Sequence, residues 1–519
     1  MSGKTGSGAA DALSKDTVVA VVGAGTMGSG IAQVAAVAGH QVLLFDSAPA
    51  AVERGAGAIA ANLARMATKG TITEEARAAI LGRVTTCTDM AALSEAGLVV
   101  EAIVEDLSVK RGLFAALEDI VPEGCILATN TSSISIESIG AKLKRPERLA
   151  GLHFFNPAPL MALVEIVRGK ATDPAIAATL EATAAAWGKV PVQARSTPGF
   201  IVNRVARPFY AEALRVLAEG AASPATLDAV LRESGGFRMG PCELMDLIGH
   251  DVNYAVTRSV WDAFHNDPRF QPSLVQRELV EAGWLGRKSG RGFYDYRSGA
   301  AAPEPAIAVP NPAPTAVTVA GPLGFAEPLA ALIREAGIAV SEEDGPGELR
   351  LGSVILAPSD GRLATERAAL TGAEVVLFDW ALDWTTAATV ALAPARQTSA
   401  ASLAACAGLF QALGKRVAVI DDVPGLIVAR TVAMLANEAA DALNQGVADG
   451  RAIDLAMTKG VNYPIGPLAW GDRVGPALVL RTLDNLARTY GEDRYRASPL
   501  LRRCALAGLP LRSVEKDPS

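Results

Sequence analysis

A histidine and a glutamate carry the chemistry to be read first. The 519-residue chain has only four histidines, and one of them, His153, stands in GLHFFNP at the end of a run with strand character. Glu165 follows twelve residues later inside ALVEIV, the next such run. Adjacent strands bring a pair of this kind together. The carboxylate then fixes the imidazole tautomer and stabilises its protonated form, so that the free ring nitrogen serves as a general base. His40 falls at a helix-to-strand turn, and His250 and His265 fall in helical sequence. Ser132, in ATNTSSISI, offers a hydroxyl to a substrate oxygen or caps the segment that follows it. Asn203, in TPGFIVNR, offers an amide to a carbonyl oxygen or holds a turn.

The elements that must position these groups begin at Thr17. TVVAVV reads as a strand, GAGTMGSG as a glycine-rich turn, IAQVAAVAG as a helix and QVLLFD as a second strand, which together make a βαβ unit. Gly23, Gly25 and Gly28 form GxGxxG between strand and helix, and Asp46 closes the second strand. Gly23 permits the turn, Gly25 admits a pyrophosphate, and Gly28 lets the helix pack on the sheet. The helix N-terminus faces the phosphates. A carboxylate at Asp46 accepts from both ribose hydroxyls and repels a 2′-phosphate, which favours NAD over NADP. Helices are expected over 48–80, and further strands at 97–103, 124–129, 149–153 and 162–167. Ligands of open α/β sheets bind beyond the carboxyl ends of the strands, which is where His153 falls. Beside a nicotinamide, a His–Glu dyad suits hydride transfer between an alcohol and a ketone.

The whole pattern then repeats. TPGFIVNR at 197–204 returns as VPGLIVAR at 423–430, so that Pro198 and Pro424 stand 226 positions apart. At the same offset Gly188-Lys189, Glu212, Gly220, Asp228, Gly240-Pro241, Asp246 and Gly249 meet Gly414-Lys415, Glu438, Gly446, Asp454, Gly466-Pro467, Asp472 and Gly475. This is a duplication of domains. The expected organisation is a disordered tail over 1–16, a doubly wound Rossmann-type sheet over 17–196 and an all-α domain over 197–297. A Pro/Ala-rich extended linker over 298–315 precedes a degenerate Rossmann-like domain over 316–422, a second helical domain over 423–512 and a short tail over 513–519. The second copy has AGPLGFAE in place of GxGxxG, and GIAV runs into SEEDG without an acidic residue closing the strand. His153, Glu165 and Asn203 map onto Asp379, Ala391 and Ala429, so this copy is expected to be scaffold without chemistry.

Composition narrows the setting. A net charge of −7 argues against nucleic acid as a partner. Five scattered cysteines without a CxxC argue against a disulfide framework or a metal site and fit a reducing cytoplasm. No apolar stretch reaches membrane length. GKTGSG near the N-terminus lacks the spacing of a phosphate loop and is assigned to the tail.

GAGTMG, AIVEDLSVK, NTSS, GLHFFNP, ALVEIV, TPGFIVNR and KSGRGFY follow one another in an order that resembles the 3-hydroxyacyl-CoA dehydrogenase family, in its long form with two helical C-terminal domains. The resemblance implies NAD-dependent oxidation of an L-3-hydroxyacyl-CoA, of the 3-hydroxybutyryl or 3-hydroxyadipyl type, to the 3-oxoacyl-CoA. It implies His153 and Glu165 as the catalytic pair and Ser132 and Asn203 as substrate partners. NAD contacts fall on Asp46, Glu105, Lys110, Ser132, Asn156 and Lys288 besides the glycines, and a coenzyme A contact falls on Lys69. A serine that some relatives use there falls on Asn62. No enoyl-CoA hydratase segment precedes residue 17, which separates the expectation from the fused multifunctional proteins of β-oxidation. Short members resemble dimers joined through the helical domain. An attached second copy mimics that partner, as an alternative to a homodimer, and predicts contact between 198–296 and 424–512. Two other readings stand beside this one: a different β-hydroxyacid dehydrogenase, a class that usually relies on a lysine, and a catalytically silent NAD-binding relative.

Overall fold

The computed structural model describes residues 11–514, which fall into two compact units: 11–202 with 446–461, and 203–445 with 462–514. GKTGSG and the rest of 1–10, like 515–519, lie outside the described residues.

The first unit is built on eight strands: β1 (Val19–Val22), β2 (Val42–Phe45), β3 (Val84–Cys87), β4 (Leu98–Glu101), β5 (Ile126–Thr129), β6 (Leu149–Phe154), β7 (Leu163–Arg168) and β8 (Val190–Arg195). Their order is β3-β2-β1-β4-β5-β6-β7-β8. All neighbours are parallel except β6 and β7, whose antiparallel register sets His153 opposite Glu165. The central strands are buried along their whole length and apolar but for Glu101 and Thr129, which close β4 and β5, as a sheet covered on both faces requires. The order reverses at β1, so the crevice of a doubly wound sheet opens beside the loop that follows it. Residues 11–16, expected in the tail, are ordered: Leu13 packs on the core and its N–H donates to Thr183 Oγ1 at 3.0 Å.

One element of this unit comes from far along the chain. The helix Gly450–Gly460, expected in the second helical domain, packs on β7 and β8. Arg195 N–H donates to Val447 O at 2.7 Å. Gly460 lies so close that a Cβ there would stand 2.5 Å from Leu163.

The second unit holds a sheet of seven strands: β9 (Ala316–Ala320), β10 (Ala339–Glu343), β11 (Glu348–Leu351), β12 (Val354–Pro358), β13 (Val375–Phe378), β14 (Thr389–Pro394) and β15 (Arg416–Val419), in the order β10-β9-β11-β12-β13-β14-β15. The antiparallel strand β11 lies where the first sheet has β4. An acidic residue does close β10, contrary to the sequence expectation: the strand runs on to Glu343, which pairs with Arg350 at 2.7 Å. Gly321 takes the place of Gly23, with its N–H on Glu343 O at 2.9 Å, as Gly23 N–H is on Phe45 O at 2.8 Å. The loop 345–347 then packs its backbone on this turn, and a Cβ on Gly321 would stand 2.0 Å from Gly345 O. Leu323, two residues further on, is buried.

The segment 298–315 is irregular as expected, yet it is tied down. Ala306 N–H donates to Thr226 Oγ1, Ala308 N–H to Val417 O, and Asn311 N–H to Gln411 Oε1 at 2.7–2.9 Å. It is a strap and not a free spacer.

Both helical copies contribute to the second unit, where the helices Arg207–Ala218 and Val428–Asn444 pack together. Their buried ion pairs are reciprocal at the 226 offset. Arg204 binds Glu438 at 2.6 Å, and Arg430 binds Glu212 at 3.1 Å. Arg195 N–H on Val447 O is matched in the second unit by Asp421 N–H on Ala221 O at 3.1 Å. Pairs of the form i–j and j–i are the signature of a two-fold, isologous contact.

The repeated phrase keeps one backbone shape. Gly199 and Gly425 have φ 74° and 72°, and Phe200 and Leu426 follow at 47° and 49°. A side chain at positive φ is strained and persists only where its surroundings impose it. What imposes it is a buried carboxylate at the start of the helix, supplied differently in the two copies.

Candidate active site

Five loops of the first sheet, after β1, β2, β4, β5 and β6, carry the site. After β1, Gly23, Gly25 and Gly28 behave as three different constraints. A Cβ on Gly23 would stand 2.6 Å from Ala102 O, and one on Gly28 would stand 1.7 Å from Gly23 O. A Cβ on Gly25 meets nothing within 4 Å. The helix Thr26–Ala38 starts at Gly25 with no side-chain cap. Its first N–H groups have no side-chain cap and the space beside Gly25 is open, which fits a pyrophosphate. Asp46, after β2, accepts from Ala24 N–H at 2.9 Å and Ala48 N–H at 3.0 Å. Its carboxylate thus holds the glycine loop and would accept from the ribose hydroxyls of a bound NAD. These residues fit NAD.

Glu105, after β4, is a hub. Its Oε1 accepts from Thr131 Oγ1 at 2.6 Å, from Ser133 Oγ at 2.9 Å and from the N–H groups of Ser132 and Ser133 at 3.0 and 3.2 Å. Burial would raise its carboxyl, but the Thr131 bond, the Lys110 ammonium at 3.2 Å and the serine bonds outweigh it and hold it below its ordinary value. Lys110 itself is 1% exposed, with its ammonium between Glu101 at 2.6 Å and Glu105. Lys110 therefore stands beneath Glu105 and fixes it from inside the protein.

His153, the fifth residue of β6, is 5% exposed. Its Nδ1 lies 2.7 Å from Glu165 Oε2. The other carboxylate oxygen, Oε1, accepts from Ile201 N–H at 3.1 Å and Val202 N–H at 3.0 Å, the first donors of the repeated phrase's helix. A carboxylate can only accept, so Nδ1 carries the proton and Nε2 is left with its lone pair. Phe155 and Phe200 flank the ring, with centroids 4.6 and 5.7 Å away.

The second copy answers this arrangement with one residue. Asp379 N–H pairs with Ala391 O at 3.0 Å, as expected if position 379 stands for 153 and 391 for 165. Asp379 Oδ2 accepts from Ile427 and Val428 N–H at 2.9 and 2.7 Å, and Oδ1 from Ala429 N–H at 2.8 Å. The carboxylate that holds the phrase has moved from the glutamate's place to the histidine's. Burial pushes its carboxyl up to about 6 in spite of those backbone bonds.

The first unit gathers Gly23, Gly25, Gly28, Asp46, Glu105, Ser132, His153, Asn156 and Glu165 on one edge of one sheet. Asn156 is exposed three residues beyond His153. Lys69 is exposed at the end of the helix Pro49–Thr68. Asn62, two turns earlier, is bound to Arg65 and donates to Gln33 Oε1 at 3.2 Å. Asn203 follows Val202 in the short helix Val202–Val205 and belongs to the second unit, as does Lys288, whose ammonium pairs with Asp251 at 2.5 Å. Of the other histidines, His40 bonds Thr17 O at 3.0 Å, His250 bonds Asp246 at 2.7 Å, and His265 is exposed. Two positioning residues were not anticipated. Asn130 Oδ1 accepts from Phe154 N–H at 2.8 Å and ties β5 to the His153 strand. Glu101 anchors Lys110 and Thr129, and a lone acid in the apolar run GLVVEAI was its signal. Among the described residues no group of three or more His, Cys, Asp or Glu could hold a metal, and no helix is long and apolar enough to cross a membrane.

A doubly wound sheet with this glycine loop and a histidine–carboxylate pair at its edge defines a nucleotide-dependent dehydrogenase. The chain belongs to the 3-hydroxyacyl-CoA dehydrogenase family. Residues 18–197 match that family's NAD-binding domain, and 199–296 and 425–516 each match its C-terminal domain. Residues 356–424 match the reduced Rossmann-fold domain of 3-hydroxybutyryl-CoA dehydrogenase. The chain is 47% identical over 489 residues to the 3-hydroxyadipyl-CoA dehydrogenase of Escherichia coli K12, covering 94% of this chain and 97% of that protein. It is 42% identical over 281 residues to a probable 3-hydroxybutyryl-CoA dehydrogenase of Bacillus subtilis, covering 54% of this chain and 96% of that one. A crystal structure of 3-hydroxybutyryl-CoA dehydrogenase from Escherichia coli K12 superposes with a TM-score of 0.87 at 46% identity, covering 95% of this chain and 99% of that chain.

Proposed function

We propose that the chain oxidises the 3-hydroxyl of an L-3-hydroxyacyl-CoA of the 3-hydroxyadipyl or 3-hydroxybutyryl type, with His153 as the general base. The observation that carries this is the 2.7 Å bond from His153 Nδ1 to Glu165, which leaves Nε2 free to take the hydroxyl proton. When bound, NAD accepts the hydride from the substrate carbon. The protein's part is to orient and polarise. Glu165 fixes the histidine's tautomer and balances the positive charge that forms on the ring. Ser132 and Asn203 donate to the substrate oxygen as it becomes a carbonyl. Asp46, Glu105, Asn156 and Lys288 line the NAD site with Ser132, Lys110 holds Glu105 in place, and Lys69 meets the coenzyme A. The second helical copy stands in for a partner subunit, and the reciprocal arginine–glutamate pairs support that reading. The cysteines, four of them buried and none in a disulfide among the described residues, fit a cytoplasmic enzyme.

The test is NADH oxidation with acetoacetyl-CoA and with 3-oxoadipyl-CoA, comparing the wild type with His153→Ala. Turnover by the wild type, lost by at least about a hundredfold in the variant while NADH still binds, is expected. A wild type that binds NADH and turns over no 3-oxoacyl-CoA would sink the proposal.

A further inference from the structure

The second unit holds a buried cation that the proposed reaction does not use. Arg207, at the start of the helix Arg207–Ala218, is 6% exposed, and no carboxylate pairs with it among the described residues. Its Nη1 donates to Thr257 Oγ1 at 3.1 Å, its guanidinium lies 4.9 Å from the centre of the Tyr210 ring, and its buried Nε makes no hydrogen bond. A charge taken out of water without a counter-ion is costly.

Arg207 lines a cavity of about 230 Å³ together with Arg215, Arg494, Ser273 and Gln276. Arg215 binds Glu492 at 2.8 Å, and Arg494 stands 3.6 Å from the same carboxylate. Glu212, the other acid near Arg215, is bound to Arg430. One carboxylate thus serves two guanidiniums, and Arg207 has none. The helix Leu274–Glu281 begins at the same cavity. Its N-cap, Ser273, makes no capping bond, and the first intrahelical bond is Arg277 N–H to Ser273 O. The N–H groups of Leu274, Val275 and Gln276 therefore have no acceptor within the helix. At the 226 offset Arg207 becomes Ala433 and Arg215 becomes Asp441, so these two cations are not a requirement of the duplicated scaffold.

We propose that this cavity is a binding site for a small oxyanion, a carboxylate or a phosphate, held by the Arg207 guanidinium and by the N-terminus of the helix Leu274–Glu281. A guanidinium pairs with either group through two parallel hydrogen bonds, and an uncapped helix start completes an anion site. The cavity has room for a short carboxylic acid or a phosphate.

The experiment is isothermal titration of the full-length protein, saturated with NADH so that the nucleotide site is filled. Sodium phosphate and sodium glutarate are the probes, with sodium chloride at matched ionic strength as the control. Saturable binding of one or both oxyanions is expected, with the stronger of the two identifying the class and chloride giving none. Arg207→Gln is expected to weaken that binding by about tenfold or more. Ser273→Asp, which places a tethered carboxylate at the cavity, is expected to abolish it and to raise the melting temperature. Absence of saturable binding by either anion overturns the proposal, as does an unchanged dissociation constant in Arg207→Gln. Should Arg207→Gln not fold, judged by circular dichroism and NADH binding, Ser273→Asp decides: loss of anion binding supports the site, and unchanged binding overturns it.

Discussion

Replacing Glu165 by glutamine isolates the carboxylate from the shape of the site. In the wild type Oε1 accepts two backbone N–H bonds, from Ile201 and Val202, and Oε2 accepts from His153. A glutamine has one oxygen. If that oxygen turned toward His153, two buried N–H groups would face an NH2, at about 1–3 kcal/mol each. The oxygen therefore stays with the helix start, and the amide NH2 is presented to the histidine. An NH2 only donates, so Nδ1 must become the acceptor and the ring proton moves to Nε2. The base is then blocked with every atom still near its place. General-base catalysis contributes about 10²–10⁴-fold, so kcat/KM for 3-hydroxybutyryl-CoA should fall by roughly a thousandfold, about 4 kcal/mol. NADH affinity should be unchanged, and the urea midpoint should shift little because both N–H bonds survive. Steady-state NADH formation, NADH fluorescence titration and urea unfolding read the three quantities. A variant that binds NADH normally and keeps kcat/KM within about tenfold of the wild type would refute the tautomer argument.

Asp46→Ala should weaken NAD binding by roughly ten- to a hundredfold, the worth of a hydrogen bond to a charged group; equal dissociation constants in a fluorescence titration would remove Asp46 from the site. Arg204→Ala leaves Glu438, 0% exposed, with only Arg269 to balance it. It should destabilise the folded chain by about 3–5 kcal/mol, and an unchanged urea midpoint would show that the pair contributes nothing. Burial holds the Asp379 carboxyl up at about 6, above the ordinary carboxylate value of about 3.9. A raised carboxyl contributes stability that is complete below about pH 4 and is lost as the pH rises through 6, by roughly 3 kcal/mol in all. Asp379→Asn lacks the group, so its stability should lose that slope; parallel wild-type and variant curves between pH 4 and 7 would contradict the assignment.

The parts legible in the sequence are those whose cause is local. The β-branched run before GAGTMG and the glycine spacing each follow from a few adjacent residues. His153 and Glu165 were readable as a pair because twelve residues is the reach of one strand, a turn and its antiparallel neighbour. What escaped depends on distant chain. β3 is half exposed and β8 contains Pro191, so neither shows a clean apolar pattern. β10 is an edge strand, and its exposed SEE was mistaken for a loop because edges tolerate charge. Nothing near Gly450–Gly460 announces that this helix packs on strands nearly three hundred positions earlier in the chain. The sequence does not show that Glu101 lies beneath Lys110.

The two copies of the phrase show why a catalytic site could be lost without loss of the fold. Each copy bends its chain at a glycine and a strained neighbour, and each needs a carboxylate on the helix start that follows. In the first copy that carboxylate is set back on β7, and the distance to the helix leaves room for an imidazole to take its second oxygen. In the second the acid sits at the histidine's own position, so three helix N–H groups take both of its oxygens and no base can stand between. Position 391 then needs no polar group, and its alanine is buried. Position 429 contributes only its N–H, and its side chain is a buried alanine too. Holding the helix and holding the base are thus separable demands. A copy attached to the same chain is present at high effective concentration, and it has only the first of them to meet.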